Sequence, residues 1–179
     1  MAIRTIRSSA LSKDTKFLSL AQASYVAPTS LPGWALIKPY SISYAGTSAS
    51  IGTNGQVTFS AVTSLSLNGV FTPQFNNYVV VIREANGSTN RGWFAYRLRS
   101  SGTDNTASSY TYQTLEASAG GISAGRTTGA TFAYIAYAGT GTVNGMNLYL
   151  YGPALSQATA ARSANGMGYD GGYILDLSL

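Results

Sequence analysis

From residue 34 onward the chain is cut into short runs by turn-forming pairs, and this punctuation constrains its fold more than any other feature. Thr53-Asn54-Gly55, Asn68-Gly69, Asn86-Gly87, Ser101-Gly102, Gly120-Gly121, Gly139-Thr140-Gly141 and Asn144-Gly145 mark the breaks. Gly and Asn tolerate the positive φ that tight hairpin turns require. Between them, alternating or β-branched runs occupy 36–43, 48–51, 56–60, 63–67, 78–84, 92–99, 109–116, 131–138, 146–151 and 173–177. Short runs at about ten-residue spacing indicate antiparallel strands in a sandwich or barrel. The Ser/Thr/Gly-rich stretches near 100–109 and 118–130 read as long loops, and no helical period of useful length follows residue 25.

Several runs have legible faces, because side chains alternate across a strand. Phe94, Tyr96 and Leu98 fall on one side of 92–99, with Ala95, Arg97 and Arg99 on the other. Tyr110 and Tyr112 share a face opposite Thr111 and Gln113. Tyr134 and Ile135 fall on opposite faces, which marks 131–138 as buried on both sides. The unbroken apolar run 78–82 reads as a central strand.

Residues 1–33 have a different character. Asp14 can N-cap a short helix over 15–23 that places Phe17, Leu20 and Ala21 on one side. So short a helix is marginal without a partner surface. Pro28 and Pro32-Gly33 then form a linker. Residues 1–38 hold Arg4, Arg7, Lys13, Lys16 and Lys38 against Asp14, so this segment carries four of the net +5 charges. The expected organisation is a basic anchoring arm over 1–33 and one β-domain over 34–179. No run of basic residues occurs, so a protein surface is the expected partner of the arm and nucleic acid is not.

The residues that are missing restrict function. The chain has no His and no Cys, and its six acids are Asp14, Glu84, Asp104, Glu116, Asp170 and Asp176. It cannot build a Ser-His-Asp triad, a Cys-His pair or a Cys/His zinc site. Asp104 and Asp170 each stand alone among Gly and Thr or Tyr; one carboxylate is a poor calcium site, and an Asx-type turn accounts for Asp104. No metal and no cofactor is expected. Glu84 and Glu116 are the only candidates for a glycosidase carboxylate pair, and nothing in their spacing supports one. Charged residues make up 9% of the chain, against about 25% in ordinary globular proteins. Its polar surface is built from hydroxyls and amides, which suits association.

The contact candidates follow from this. Among thirteen tyrosines, Tyr40, Tyr44, Tyr110 and Tyr169 lie near loops, where Tyr serves adaptable recognition. Arg97 and Arg99 could hold an anionic ligand, although cross-strand pairing with Glu84 or Glu116 is the simpler reading. No stretch of 18 apolar residues exists, and Ser, Lys and Asp interrupt the region after Arg4 and Arg7. Neither a membrane span nor a signal peptide is expected, and synthesis in a cytoplasm is.

Longer segments carry a resemblance. Trp34-Ala35-Leu36-Ile37-Lys38-Pro39, Gly55-Gln56-Val57-Thr58-Phe59, Leu65-Ser66-Leu67-Asn68-Gly69-Val70-Phe71 and Asn77-Tyr78 occur in that order. They are followed by Arg97-Leu98-Arg99-Ser100-Ser101-Gly102-Thr103-Asp104-Asn105 and Tyr110. Over about residues 34–155 the chain resembles small virion structural proteins of tailed bacteriophages, of the minor tail or accessory head decoration type. The resemblance implies a β-sandwich displayed on a phage particle, commonly as a homotrimer, and supplies no catalytic residues.

The expectation is thus an all-β, antiparallel, jelly-roll-like β-sandwich preceded by an extended N-terminal arm. Arg4, Arg7, Lys13, Lys16, Phe17 and Leu20 dock that arm on another virion protein of capsid or tail. The alternative is an adhesion module at a tail tip that binds a host cell-surface glycan through Tyr40, Tyr44, Tyr110, Tyr169, Arg97 and Arg99. A polysaccharide-degrading enzyme is the remote alternative.

Overall fold

A computed structural model describes residues 34–85, 92–118, 120–138, 143–167 and 174–178. The expected arm and its boundary at 33/34 lie outside them, as do Tyr169 and Asp170. The described residues form twelve strands and no helix, and every strand pairing is antiparallel. They divide into two compact units at Val70/Phe71.

The first unit is a long hairpin of β1 (Ser41–Ile51) and β2 (Val57–Asn68). Asn54-Gly55 makes its turn as the sequence predicts: Gly55 has a φ of 84° and the Asn54 Oδ1 accepts the Gln56 N–H at 3.1 Å. Each arm of the hairpin was expected as two strands and is one. The discontinuity is a bulge, where Ala45 pairs with Ser64 but Gly46 pairs with Val62, leaving Thr63 extra. Ala61 adopts a φ of 46° there. Bulges bend a ribbon, and this one bends far. A straight eleven-residue β1 at about 3.3 Å per residue would carry the tip about 36 Å from the base. Yet Tyr40 bonds Asn68 at the base, while a Cβ at Gly55 in the tip would lie 3.2 Å from the Lys38 Cβ. The hairpin is folded back so that its turn covers residues 36–38.

The second unit is built on a six-stranded sheet in the order β3-β10-β11-β12-β7-β8. These strands are β3 (Asn77–Ala85), β7 (Tyr110–Ser118), β8 (Gly121–Ala130), β10 (Val143–Tyr151), β11 (Ala160–Met167) and β12 (Ile174–Ser178). A ribbon of β4 (Gly92–Tyr96) and β9 (Ala133–Ala138) packs its β9 against β7, β10, β11 and β12. A tight turn at Ser101-Gly102 joins the two-residue strands β5 (Arg99–Ser100) and β6 (Thr103–Asp104).

The core lies between ribbon and sheet. Met146, Leu148 and Leu150 of β10 and Ala161 of β11 are buried against Ile135 and Ala136 of β9. Phe71, which precedes β3, Tyr78, Val80 and Ile82 from β3, and Phe94 and Tyr96 from β4 pack against the cluster. Tyr96 also borders a second cluster of Tyr110, Tyr112 and Ala133. The faces read for Phe94/Tyr96 and Tyr110/Tyr112 are thus the inward ones.

Four expectations about strands are corrected. The run 78–82 lies in β3, at one edge of the six-stranded sheet rather than at its centre. Its apolar character is continuous because Val79 and Val81 belong to the outward face, where Val81 is 73% exposed. The stretch 118–130, expected as a loop, contains the edge strand β8; small residues there satisfy the β7 backbone without filling a core. Strand β11 was not expected, and Asn144-Gly145 lies inside β10 rather than in a turn.

Candidate functional site

The ribbon's geometry depends on one extra residue. Phe94 pairs with Ala136 and Ala95 with Tyr134, so Ile135 is bulged out of register. The bulge lets two consecutive residues, Ile135 and Ala136, face the core. The sheet fixes the bulge in place. The buried Ser163 Oγ donates to the Ile135 carbonyl at 2.5 Å and the Asn165 Nδ2 to the Tyr137 carbonyl at 3.2 Å. Both come from the inward positions of β11, where polar groups must find partners.

Trp93, Tyr134 and Tyr137 form a ring cluster on this ribbon. The Trp93 ring centroid lies 4.5 Å from that of Tyr134 and 4.8 Å from that of Tyr137. Tyr134 is flanked by Phe132 at 5.2 Å and backed by the buried Tyr112 at 5.2 Å. At the Phe132 end the Arg97 guanidinium carbon lies 5.7 Å from the ring centroid while its Nε donates to the Thr131 carbonyl at 2.9 Å. Trp93 remains 41% exposed.

A second polar constellation surrounds the β5–β6 turn. The Arg99 Nε lies 3.2 Å from the Asp104 Oδ1, and an Arg99 terminal nitrogen donates to the Gly102 carbonyl. The Asn105 Oδ1 accepts the Ala107 N–H at 3.0 Å, an Asx-type closure. The Tyr110 hydroxyl accepts from the Leu98 N–H at 2.9 Å and donates to the Asn105 carbonyl at 3.3 Å. Leu98, Arg99, Asp104, Asn105 and Pro153 border an open depression of about 430 Å³.

The sequence-derived contact candidates are dispersed by this fold. Tyr40 is 90% exposed and Tyr44 exposed, both in the hairpin unit. Tyr110, proposed as a surface residue, is 7% exposed and ties the 98–105 segment to the core. Its position next to a loop was a true signal, but its alternation with Tyr112 turns it inward. Arg97 and Arg99 do not form a pair, because β4 ends at Tyr96 and the alternation of 92–99 stops there. Arg99 takes Asp104 as its partner across the tight turn, a carboxylate nearer in sequence than Glu84 or Glu116. The six arm residues Arg4, Arg7, Lys13, Lys16, Phe17 and Leu20 and the loop residue Tyr169 lie outside the described residues.

Glu84 in β3 and Glu116 in β7 are separated by four strand spacings in the six-stranded sheet. At about 4.8 Å each, this is about 19 Å, well beyond the roughly 5–10 Å of a glycosidase carboxylate pair. Among the described residues no three His, Cys, Asp or Glu side chains form a group that could hold a metal ion.

The aromatic cluster escaped sequence reading, although a signal for it was present. The alternation that turns Phe94 and Tyr96 inward places Trp93 on the face away from the core. A large ring there needs a reason beyond packing. No protein-family model, curated protein or solved structure matches this chain.

Proposed function

We propose that this chain is a non-enzymatic structural protein of a tailed-bacteriophage virion, anchored by residues 1–33 and working as a homo-oligomer, by resemblance a trimer. In this reading the β4–β9 ribbon is the second layer of a jelly-roll-like sandwich over the six-stranded sheet. The arm, with Arg4, Arg7, Lys13, Lys16, Phe17 and Leu20, docks on a neighbouring capsid or tail protein. Its positive charge steers the encounter and its apolar side chains supply affinity.

One observation carries the assembly reading: the sheet face turned away from the core exposes large apolar groups, interspersed with Arg83, Arg126, Arg162 and Asp176. Pairing aligns Val81, Asn147, Ala164, Asp176, Leu115 and Ala124 in one row across all six strands. Val81 at 73% and Ile122 at 79% lie near its two edges, and Leu115, Val143 and Tyr151 are also exposed. Large apolar side chains exposed in two groups on one sheet face, Val81, Val143 and Tyr151 towards one edge and Leu115 and Ile122 towards the other, suit an interaction site. A second copy of the chain is the partner that is always present at matching concentration.

Sedimentation velocity of residues 1–179 tests the assembly. The intact chain is expected to sediment as an oligomer, and Val81→Lys with Leu115→Lys as a folded monomer. A monomeric parent protein, or an oligomer indifferent to both lysines, refutes the assigned face. Labelling phage particles with an antibody against residues 34–179 tests the virion role. Unlabelled particles would end it, and label on head or tail end distinguishes decoration from tail protein. Deleting residues 1–33 is expected to leave a folded protein that no longer joins particles.

A further inference from the structure

We infer that the aromatic strip on the β4–β9 ribbon is a binding site for a neutral saccharide, with Trp93 as its stacking ring. Trp93 is the point of departure. It is 41% exposed in a strand whose alternate residues Phe94 and Tyr96 pack into the core. Tyr137, Trp93, Tyr134 and Phe132 follow one another at ring separations of 4.8, 4.5 and 5.2 Å. The strip carries apolar ring surface together with an indole N–H and tyrosine hydroxyls, the combination that Tyr and Trp bring to half-wet contacts. A pyranose ring is its chemical complement, with a face of C–H bonds and a rim of hydroxyls.

Charge narrows the ligand class. Arg97 is the strip's cation among the described residues; it sits at the Phe132 end, with its Nε already committed to the Thr131 carbonyl. A nucleic acid would need a track of cations for its phosphates beside the stacking rings. A single terminal arginine among the described residues does not make one, which favours an uncharged ligand over a polyanion.

The strip is also ordered in advance. The Ser163 and Asn165 bonds fix the bulge that determines which β9 residues face the core, and Tyr112 and Phe132 flank the Tyr134 ring. Little side-chain freedom is left to lose when a ligand arrives, which favours weak ligands such as sugars. The inference stands apart from the assembly reading: a monomer that binds sugar would support it, and an oligomer that binds none would end it.

The test uses the full chain with Trp34→Phe, which leaves Trp93 as the sole tryptophan. The protein is applied to an array of neutral and acidic glycans, and each neutral hit is titrated while Trp93 emission is followed. Saturable quenching or a blue shift by a neutral glycan is expected. Trp93→Ala should weaken that binding by about 5- to 150-fold, the range a stacked ring contributes in nucleic-acid platforms. Trp93→Tyr should recover part of it. Tyr137→Phe, which removes only a hydroxyl, should weaken binding in a protein with parental circular dichroism, and Tyr40→Ala should change nothing. The inference is overturned if the folded protein binds no neutral glycan, if only acidic glycans bind, or if Trp93→Ala binds as tightly as the parent.

Discussion

Replacing Ser163 with Ala tests whether the sheet holds the ribbon through its bulge. Ser163 is fully enclosed on β11, and its Oγ donates to the carbonyl of Ile135, the extra residue of β9. Ala fits the same space, so packing changes little and the perturbation is the loss of one donor. The Ile135 carbonyl then remains buried without that bond, which costs about 1–3 kcal/mol. A polar-to-apolar change at an enclosed site recovers part of this through easier burial, so about 1–2 kcal/mol is the expected loss. For a domain of this size each kcal/mol lowers Tm by about 2–4 °C. Urea unfolding should follow Trp93 emission in a Trp34→Phe background, since Trp93 lies on the ribbon concerned. The midpoint should fall with little change in slope, because the surface exposed on unfolding is nearly the same. Ser60→Ala, at an exposed position of β2, is the control and should stay within about 0.5 kcal/mol of the parent. If Ser163→Ala is as stable as that control, the bond does not anchor the bulge and the account of ribbon order fails.

Three further outcomes are expected. Tyr110→Phe leaves the Leu98 N–H and the Asn105 carbonyl without their shared partner; urea unfolding should show a loss of about 1–3 kcal/mol, and an unchanged midpoint would return Tyr110 to the surface candidates. Gly46→Ala would place a Cβ 2.2 Å from the Ala61 carbonyl oxygen at a φ of 131°, so the hairpin should lose its fold-back and amide exchange at Gly52 and Gly55 should accelerate; unchanged exchange would show that the bend tolerates a side chain. Burial, reinforced by the neighbouring Tyr110, pushes the Tyr96 hydroxyl well above its ordinary pKa of 10.0. The folded state thus favours the neutral phenol, and its contribution is complete below about pH 10 and declines as pH rises above that value, where the unfolded chain ionises first. Tyr96→Phe should therefore move the midpoint of alkaline unfolding upward, and an equal or lower midpoint would contradict that assignment.

The sequence by itself determined the strand-rich class, the two hairpin turns at Asn54-Gly55 and Ser101-Gly102, and the inward faces of Phe94/Tyr96 and Tyr110/Tyr112. Each is a local matter, settled by backbone preference at Gly and Asn or by a period of two along one strand. Only the tertiary structure decided where strands without a local signature belong. β8 and β11 pair with strands next to them in sequence, but their small residues show no apolar period of two along the chain. Ser163 and Asn165 look like loop residues until Ile135 and Tyr137 are laid over them. The run at Val79 and Val81 resembles a central strand, because apolar residues on both faces read alike whether the second face is covered by the same chain or left open to a partner. The aromatic strip has the same origin: Trp93 and Tyr137 meet through a pairing across 44 positions of sequence, and the bulge at Ile135 sets the register that brings Tyr134 beside them. A bulge has no composition of its own. It exists because the core accepts Ile135 and Ala136 together, and a contact of that kind is decided by packing between layers.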